Sequence, residues 1–335
     1  SYSLLDSFGN AVEREIVIIS TADEIAEKGN YKHFMHKEIC EQPEMLRATL
    51  QGRISDKQVL LEAFGTKAPS IFSKVESVHI VACGTSYHAG LIAKYWLEEW
   101  TGILCQVEVA SEYRYRKSVV PINTLFVTIS QSGETADTLA ALQSAKTSSY
   151  LASLTICNVA NSSLVRESDL VLMTYAGPEI GVASTKAFTT QLAALQLLFI
   201  GLGKSHGLDS KKEQQLVEAL HQLPELCSKT LELSDIIEQT FKSFSDKNHA
   251  LFLGRGVQFP VALEGALKLK EISYVHAEAY PAGELKHGPL ALIDNKMPVI
   301  AVAPNNALLE KLKSNLQEVK ARGGELFVFA DQDAG

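Results

Sequence analysis

A chain of 335 residues, 46% hydrophobic and 21% charged, has room for two globular domains and is too apolar to be disordered. Its net charge of −8 excludes a broad nucleic-acid-binding face, so an anionic ligand would need a local site. The cysteines, Cys40, Cys83, Cys105, Cys157 and Cys227, are odd in number and form no C-x-x-C pair, which argues for a reducing cytoplasm and against a zinc site or disulfide frame.

The first residue is Ser1, with neither an initiator Met nor a signal peptide, so the sequence reads as a piece of a longer protein. Residues 1–20 predict two short strands around the turn Phe8-Gly9-Asn10. Residues 31–64 predict short helices punctuated by Pro43 and Gly52. From Val78 the pattern changes to strands alternating with helices. Val78–Ala82 is a strand and Cys83-Gly84-Thr85-Ser86 a tight turn, with Ser86 capping a helix that runs to Trp100. Leu125–Ile129 is a buried strand, followed by a loop and a helix over Ala136–Ala145. Leu151–Ile156 and Leu170–Thr174 are further strands, and a helix runs from Ser184 to Gly201. The longest apolar stretch, Leu192 to Leu202, is too short to span a bilayer. Such an order predicts an α/β fold with a parallel sheet covered on both faces and ligands at the carboxyl ends of the strands.

The loop Ser130-Gln131-Ser132-Gly133-Glu134-Thr135 carries hydroxyls, an amide and one glycine just before a helix. That is phosphate-cradle chemistry: a glycine lets the backbone turn, hydroxyls donate, and the helix offers free N–H groups. The helix dipole contributes only about 0.3–1 kcal/mol at an exposed site, so convergent donors must do most of the binding. The loop has no Lys or Arg and is not a P-loop. A Ser-rich helix cap is the competing reading. The segment Gly177 to Lys186 is likewise either a sugar-contacting loop or a capped helix start.

After a polar helical connector over residues 205–245, the strand–turn–helix unit recurs from Ala250, with Leu251-Phe252-Leu253-Gly254-Arg255-Gly256 standing where Ile80 to Thr85 stood. Met297–Ala303, Asn306–Arg322 and Leu326–Ala330 complete a degenerate second copy of one α/β domain. It has Ala303-Pro304-Asn305 in place of Ser130-Gln131-Ser132, so only the first copy is expected to hold phosphate. The helix Pro260 to Ser273 puts Glu264, Lys268 and Glu271 on one face, either a solvated stripe or a carboxylate base beside an ammonium. The stretch from His276 to Pro289 is expected to be an irregular loop carrying His287, a candidate acid or base. His276 and Glu278 lack a ligand set for a metal, and Gly254-Arg-Gly256-Val-Gln-Phe259 lacks the third glycine of a dinucleotide fingerprint. Cys83 reads as a small buried residue.

Taken in order, Cys83-Gly-Thr-Ser-Tyr-His88, Ser130-Gln-Ser-Gly-Glu-Thr135, Glu179-Ile-Gly-Val-Ala-Ser-Thr-Lys186, Glu264-Gly-Ala-Leu-Lys-Leu-Lys-Glu271, His276-Ala-Glu-Ala-Tyr280 and Gly283-Glu-Leu-Lys-His-Gly-Pro289 resemble the glucosamine-6-phosphate synthase family, the glutamine–fructose-6-phosphate amidotransferases. The resemblance covers residues 23–335, and residues 1–22 resemble the end of that family's glutaminase part. It implies two flavodoxin-like sugar isomerase (SIS) domains and a homodimer. The division it implies is a helical lead-in over 23–64, a first domain over 65–205, a connector over 206–245 and a second domain over 246–335, the last incomplete at its C-terminal end.

The resemblance also implies roles. Ser130, Gln131, Ser132 and Thr135 would hold the 6-phosphate of fructose 6-phosphate, and Thr85, Ser86, Val182 and Ser184 would contact the sugar chain. Glu271 would move a proton between C1 and C2, Lys268 would assist at the oxygen end, and His287 would help open the ring from the partner subunit. No cofactor, metal, nucleic acid or membrane is implied. The family's N-terminal cysteine nucleophile and its tail lysine have no counterpart in the sequence, so the chain is expected to bind sugar phosphate without making glucosamine 6-phosphate from glutamine. Two alternatives share the cradle: a non-catalytic sugar-phosphate regulator, which has no need of Glu271 beside Lys268, and a deglycase or aldose–ketose isomerase that works without glutamine.

Overall fold

Strands that are apolar at every position need cover on both faces. In the computed structural model, which describes residues 3–6, 8–13 and 27–332, β1 (Ser77–Ala82) and β3 (Thr124–Ser130) are buried along their whole length. With β2 (Leu104–Val109), β4 (Ala152–Cys157) and β5 (Leu170–Met173) they form a parallel sheet in the order β2-β1-β3-β4-β5. A second parallel sheet holds β6 (His249–Gly254), β7 (His276–Pro281), β8 (Pro298–Ala303) and β9 (Glu325–Ala330) in the order β7-β6-β8-β9. The second order repeats the first four places of the first, so the duplicated α/β unit read in the sequence is present as two flavodoxin-like sheets.

The helices in chain order are α1 (Phe34–Leu50), α2 (Ala68–Phe72), α3 (Gly84–Thr101), α4 (Ala110–Tyr113), α5 (Ala136–Lys146), α6 (Ser163–Glu167), α7 (Lys186–Lys204), α8 (Ser210–Leu231), α9 (Ser234–Thr240), α10 (Gln258–Ser273) and α11 (Leu309–Ala321). Among the described residues none is long and apolar enough to cross a membrane. The main core lies between the first sheet and α3 and α7, with Ile80, Val127, Leu154, Leu195 and Phe199 at its centre. The other face of β1 carries His79 in a smaller cluster with Tyr113, Phe126 and Tyr150. Its Nδ1 is 2.7 Å from the Tyr150 hydroxyl and its Nε2 2.8 Å from Glu108; burial still pushes the imidazole below its ordinary range.

Several local expectations are corrected. Residues 34–50 form one helix, not short ones, although Pro43 lies inside it. A proline there leaves the Ile39 carbonyl without its usual N–H partner, and the Gln42 side-chain amide donates to it at 2.9 Å. The helix after β1 begins at Gly84, so Ser86 sits inside its first turn and caps nothing. His276–Pro281 is a strand, the edge partner of β6, where an irregular loop was expected, and only the residues after it form 3₁₀ turns. Near the N-terminus, Leu5 bridges Ala11 around a turn in which the Asp6 carboxylate accepts the N–H groups of Phe8 and Asn10; the rest of the expected strand pair lies outside the described residues.

Candidate active site

The order β2-β1-β3 reverses direction between β1 and β3, and loops leaving the two strands on either side of such a switch point open a crevice at the carboxyl edge. Ala82 at the end of β1 pairs with Ile129, one residue short of the end of β3. The turn after β1 and the Ser130 loop are therefore neighbours.

The Ser130 loop is held by its own hydroxyls. Ser130 Oγ accepts the Gly133 N–H at 3.0 Å and lies 3.0 Å from Thr135 Oγ1, while Ser132 Oγ accepts the Glu134 N–H at 3.2 Å. Gly133 has φ +68°, and a Cβ there would come within 2.0 Å of Ser162 Oγ and 2.7 Å of Cys157 Sγ, so the turn needs glycine for both conformation and space. Glu134 points away from the loop: its Oε1 accepts the Ser163 N–H at 2.7 Å, and bonds from the Ser163 hydroxyl and N–H hold its carboxyl below the usual range. Asp137 is likewise occupied, by Arg114 at 2.7 Å. No side chain caps α5, so its first-turn N–H groups remain available beside the Ser130, Ser132 and Thr135 hydroxyls. The simple helix-cap reading of the loop therefore fails.

Across the crevice, the Glu264 carboxylate is only 5% exposed, which rules out a solvated stripe on α10. A buried carboxylate needs partners. Thr85 Oγ1 donates to Glu264 Oε1 at 2.9 Å, and His88 Nδ1 lies 2.7 Å from Oε2. Lys268 Nζ donates to Thr85 Oγ1 at 3.0 Å and lies 3.3 Å from Glu264 and 2.6 Å from Glu271 Oε2. Residues from the turn after β1 and from α10 thus form one polar cluster between the two α/β units, and one ammonium sits between two carboxylates. Glu271 keeps a partly exposed side chain, at 29%, so of the two acids it is the one open to a ligand.

The other expected residues divide. Ser86 is buried in the first turn of α3. Val182 and Ser184 lie in the loop between β5 and α7, at the same sheet edge, with Val182 90% exposed. His287 ends the 3₁₀ turn Ala282–His287, is exposed, and takes no part in the Glu264–Lys268–Glu271 contacts. Sequence reading missed His88. Its signal is its place three residues after Thr85, on the same face of α3.

Two parallel sheets with a hydroxyl-lined turn at one switch point and an acid–ammonium pair beside it define a SIS-domain protein with two such domains: the family model described as "SIS domain" matches residues 71–201 and 243–335. The chain is 64% identical over 334 residues to glutamine–fructose-6-phosphate aminotransferase (isomerizing) of Pseudomonas putida, covering 99% of this chain and 55% of that protein. It is 59% identical over 335 residues to the protein of the same name from Yersinia pestis. Among solved structures, the C-terminal domain of glucosamine-fructose-6-phosphate aminotransferase from Francisella tularensis is 54% identical, with a TM-score of 0.90 over 91% of this chain and 86% of that one. A glucosamine-6-phosphate deaminase from Thermotoga maritima, 24% identical with a TM-score of 0.71, shares the fold alone. The chain belongs to the glutamine–fructose-6-phosphate aminotransferase family. It spans about half the length of the curated relatives it matches, 55% in the case of the Pseudomonas putida protein.

Proposed function

We propose that this chain carries the isomerising chemistry of its family: fructose 6-phosphate and ammonia give glucosamine 6-phosphate and water. Ser130, Gln131, Ser132 and Thr135 bind the 6-phosphate with neutral donors and the N-terminal end of α5. Thr85, Ser86, Val182 and Ser184 line the sugar chain. Once the amine has condensed at C2, Glu271 takes a proton from C1 and returns it to C2, which turns the ketose imine into the aldose amine. Lys268 stabilises the negative charge that gathers on the substrate oxygen. His287 acts on the ring oxygen from the partner subunit of a homodimer, since in its own subunit it stands apart from the acid–ammonium pair. The protein works in the cytoplasm, a setting consistent with five free thiols.

The observation that supports this reading most is the Lys268 ammonium, bonded to Thr85 of the first unit at 3.0 Å and to Glu271 of the second at 2.6 Å. It links the proposed base to the crevice that holds the phosphate loop. Calorimetric titration tests the reading. Fructose 6-phosphate should bind at one site per chain and be displaced competitively by inorganic phosphate. A chain that binds no phosphosugar, or binds it without competition from phosphate, would not have this function.

A further inference from the structure

The helix α1 lies outside the matched SIS regions and reads in the sequence as a lead-in, yet it runs beside the segment that carries Val182 and Ser184. Thr49 donates its hydroxyl to the Thr174 carbonyl, and the Arg53 guanidinium, just past the helix, lies 4.7 Å from the centre of the Tyr175 ring. Nearer the start of α1, Glu41 pairs with Lys186, itself only 3% exposed, at 2.7 Å. One turn closer still to the start of α1, Glu38 is 2% exposed and turns its carboxylate onto the loop: Oε1 accepts the N–H of Ile180 at 2.6 Å and of Gly181 at 3.0 Å. Oε2 lies 3.2 Å from the same Gly181 nitrogen.

The two ends of the loop have other anchors. Asn158 Nδ2 donates to the Gly177 carbonyl at 2.7 Å, and Glu179 Oε1 accepts the N–H groups of Thr185 and Ala187 at 2.8 and 3.2 Å. Glu38 grips the middle, immediately before Val182. The fit is close enough that a Cβ on Gly181 would come within 2.5 Å of Glu38 Oε2. A carboxylate buried against two backbone N–H groups makes strong, charge-assisted hydrogen bonds and fixes the peptide planes that it holds.

We infer that Glu38 is a positioning residue for the sugar: it sets the Ile180–Gly181 backbone so that Val182 and Ser184 meet the substrate chain, and it does so from a helix outside the SIS domains. The inference rests on the sugar contacts proposed above. It predicts a split between ligands, because inorganic phosphate needs only the Ser130 loop whereas fructose 6-phosphate needs both loops.

The experiment titrates the unaltered chain, Glu38→Ala and Glu38→Gln with each ligand. Glu38→Ala should weaken fructose 6-phosphate binding about tenfold, as expected when roughly 1.4 kcal/mol of loop ordering is lost, and leave phosphate binding unchanged. Glu38→Gln should restore most of the sugar affinity, since its amide oxygen can accept both N–H groups. If Glu38→Ala does not fold, Gly181→Ala replaces it, because its methyl group pushes the loop off the intact carboxylate; the same split is expected. Equal affinity of unaltered and Ala chains for fructose 6-phosphate, or parallel loss of both ligands, overturns the inference. Failure of the unaltered chain to bind fructose 6-phosphate sinks the proposed function and this inference together, whereas failure of the split alone sinks only the role of Glu38.

Discussion

Glu271→Gln is expected to lower hydrogen exchange between solvent and the C1–C2 unit of fructose 6-phosphate by about 10²–10⁴-fold, the range a positioned acid–base group supplies. Phosphate affinity should stay where it was, because the hydrogen bonds that hold the Ser130 loop do not include this side chain. The glutamine keeps the size of the side chain and loses its capacity to take a proton. The Lys268–Glu271 pair at 2.6 Å becomes an ammonium beside a neutral amide, but Lys268 keeps Thr85 and Glu264 as partners, so the cluster should persist. NMR in deuterated water reads the exchange, and calorimetry with inorganic phosphate reads the loop. Undiminished exchange in the variant would remove Glu271 as the base. Loss of phosphate affinity along with exchange would mean that the substitution had damaged the crevice as a whole.

Gly133→Ala is expected to destroy phosphosugar binding and to destabilise the first unit. Two costs add. The new methyl group meets Ser162 Oγ at 2.0 Å and Cys157 Sγ at 2.7 Å, and both side chains belong to the packed β4–α6 connection. Overpacking of that kind costs about 1–3 kcal/mol. The backbone at φ +68° is in the left-handed region, which costs a residue with a Cβ roughly 1–2 kcal/mol more. If the loop shifts to relieve the clash, Ser130 Oγ loses the Gly133 N–H and the hydroxyls no longer converge. Urea unfolding should show a lower midpoint, and calorimetry should show no fructose 6-phosphate binding under conditions where the unaltered chain is saturated. A variant with the parent's midpoint and affinity would show that the turn is neither tight nor part of the ligand site.

The parts of the fold legible in the sequence are those governed by local pattern. β1, β3, β4 and β8 are apolar runs with turn residues at their ends, and burial on both faces of a parallel sheet produces that pattern. The limits of α5 were readable because the Ser130 loop and Thr135 stop the strand pattern abruptly. Two of the four edge strands were not readable. β2, Leu-Cys-Gln-Val-Glu-Val, and β7, His-Ala-Glu-Ala-Tyr-Pro, expose one side and carry polar residues, and a proline at the end of β7 is tolerated because an edge strand leaves one side unpaired. Pro43 misled for a similar reason, since a local helix-breaker was outweighed by packing and by the Gln42 amide.

The site was legible where its chemistry is compact. The serine loop and the Glu264–Lys268–Glu271 face each lie within a single turn or helix. The residues that complete it come from elsewhere in the chain: His88 meets Glu264 across 176 positions, and Glu38 meets Ile180 across 142. Periodicity and spacing carry no information over such separations, and a buried glutamate on α1 has the same local pattern as an exposed one.

The central claim is that one crevice holds a phosphate on the first unit and turns an acid of the second toward the carbons. The crystal structure of the chain with bound fructose 6-phosphate tests it most directly. The account predicts the phosphate within hydrogen-bond reach of the Ser130, Ser132 and Thr135 hydroxyls, with C1 and C2 facing the Glu271 carboxylate. A phosphate seated at the carboxyl edge of the β6–β8 pair, or a sugar whose C1 and C2 turn away from Glu271 in every copy, would contradict it.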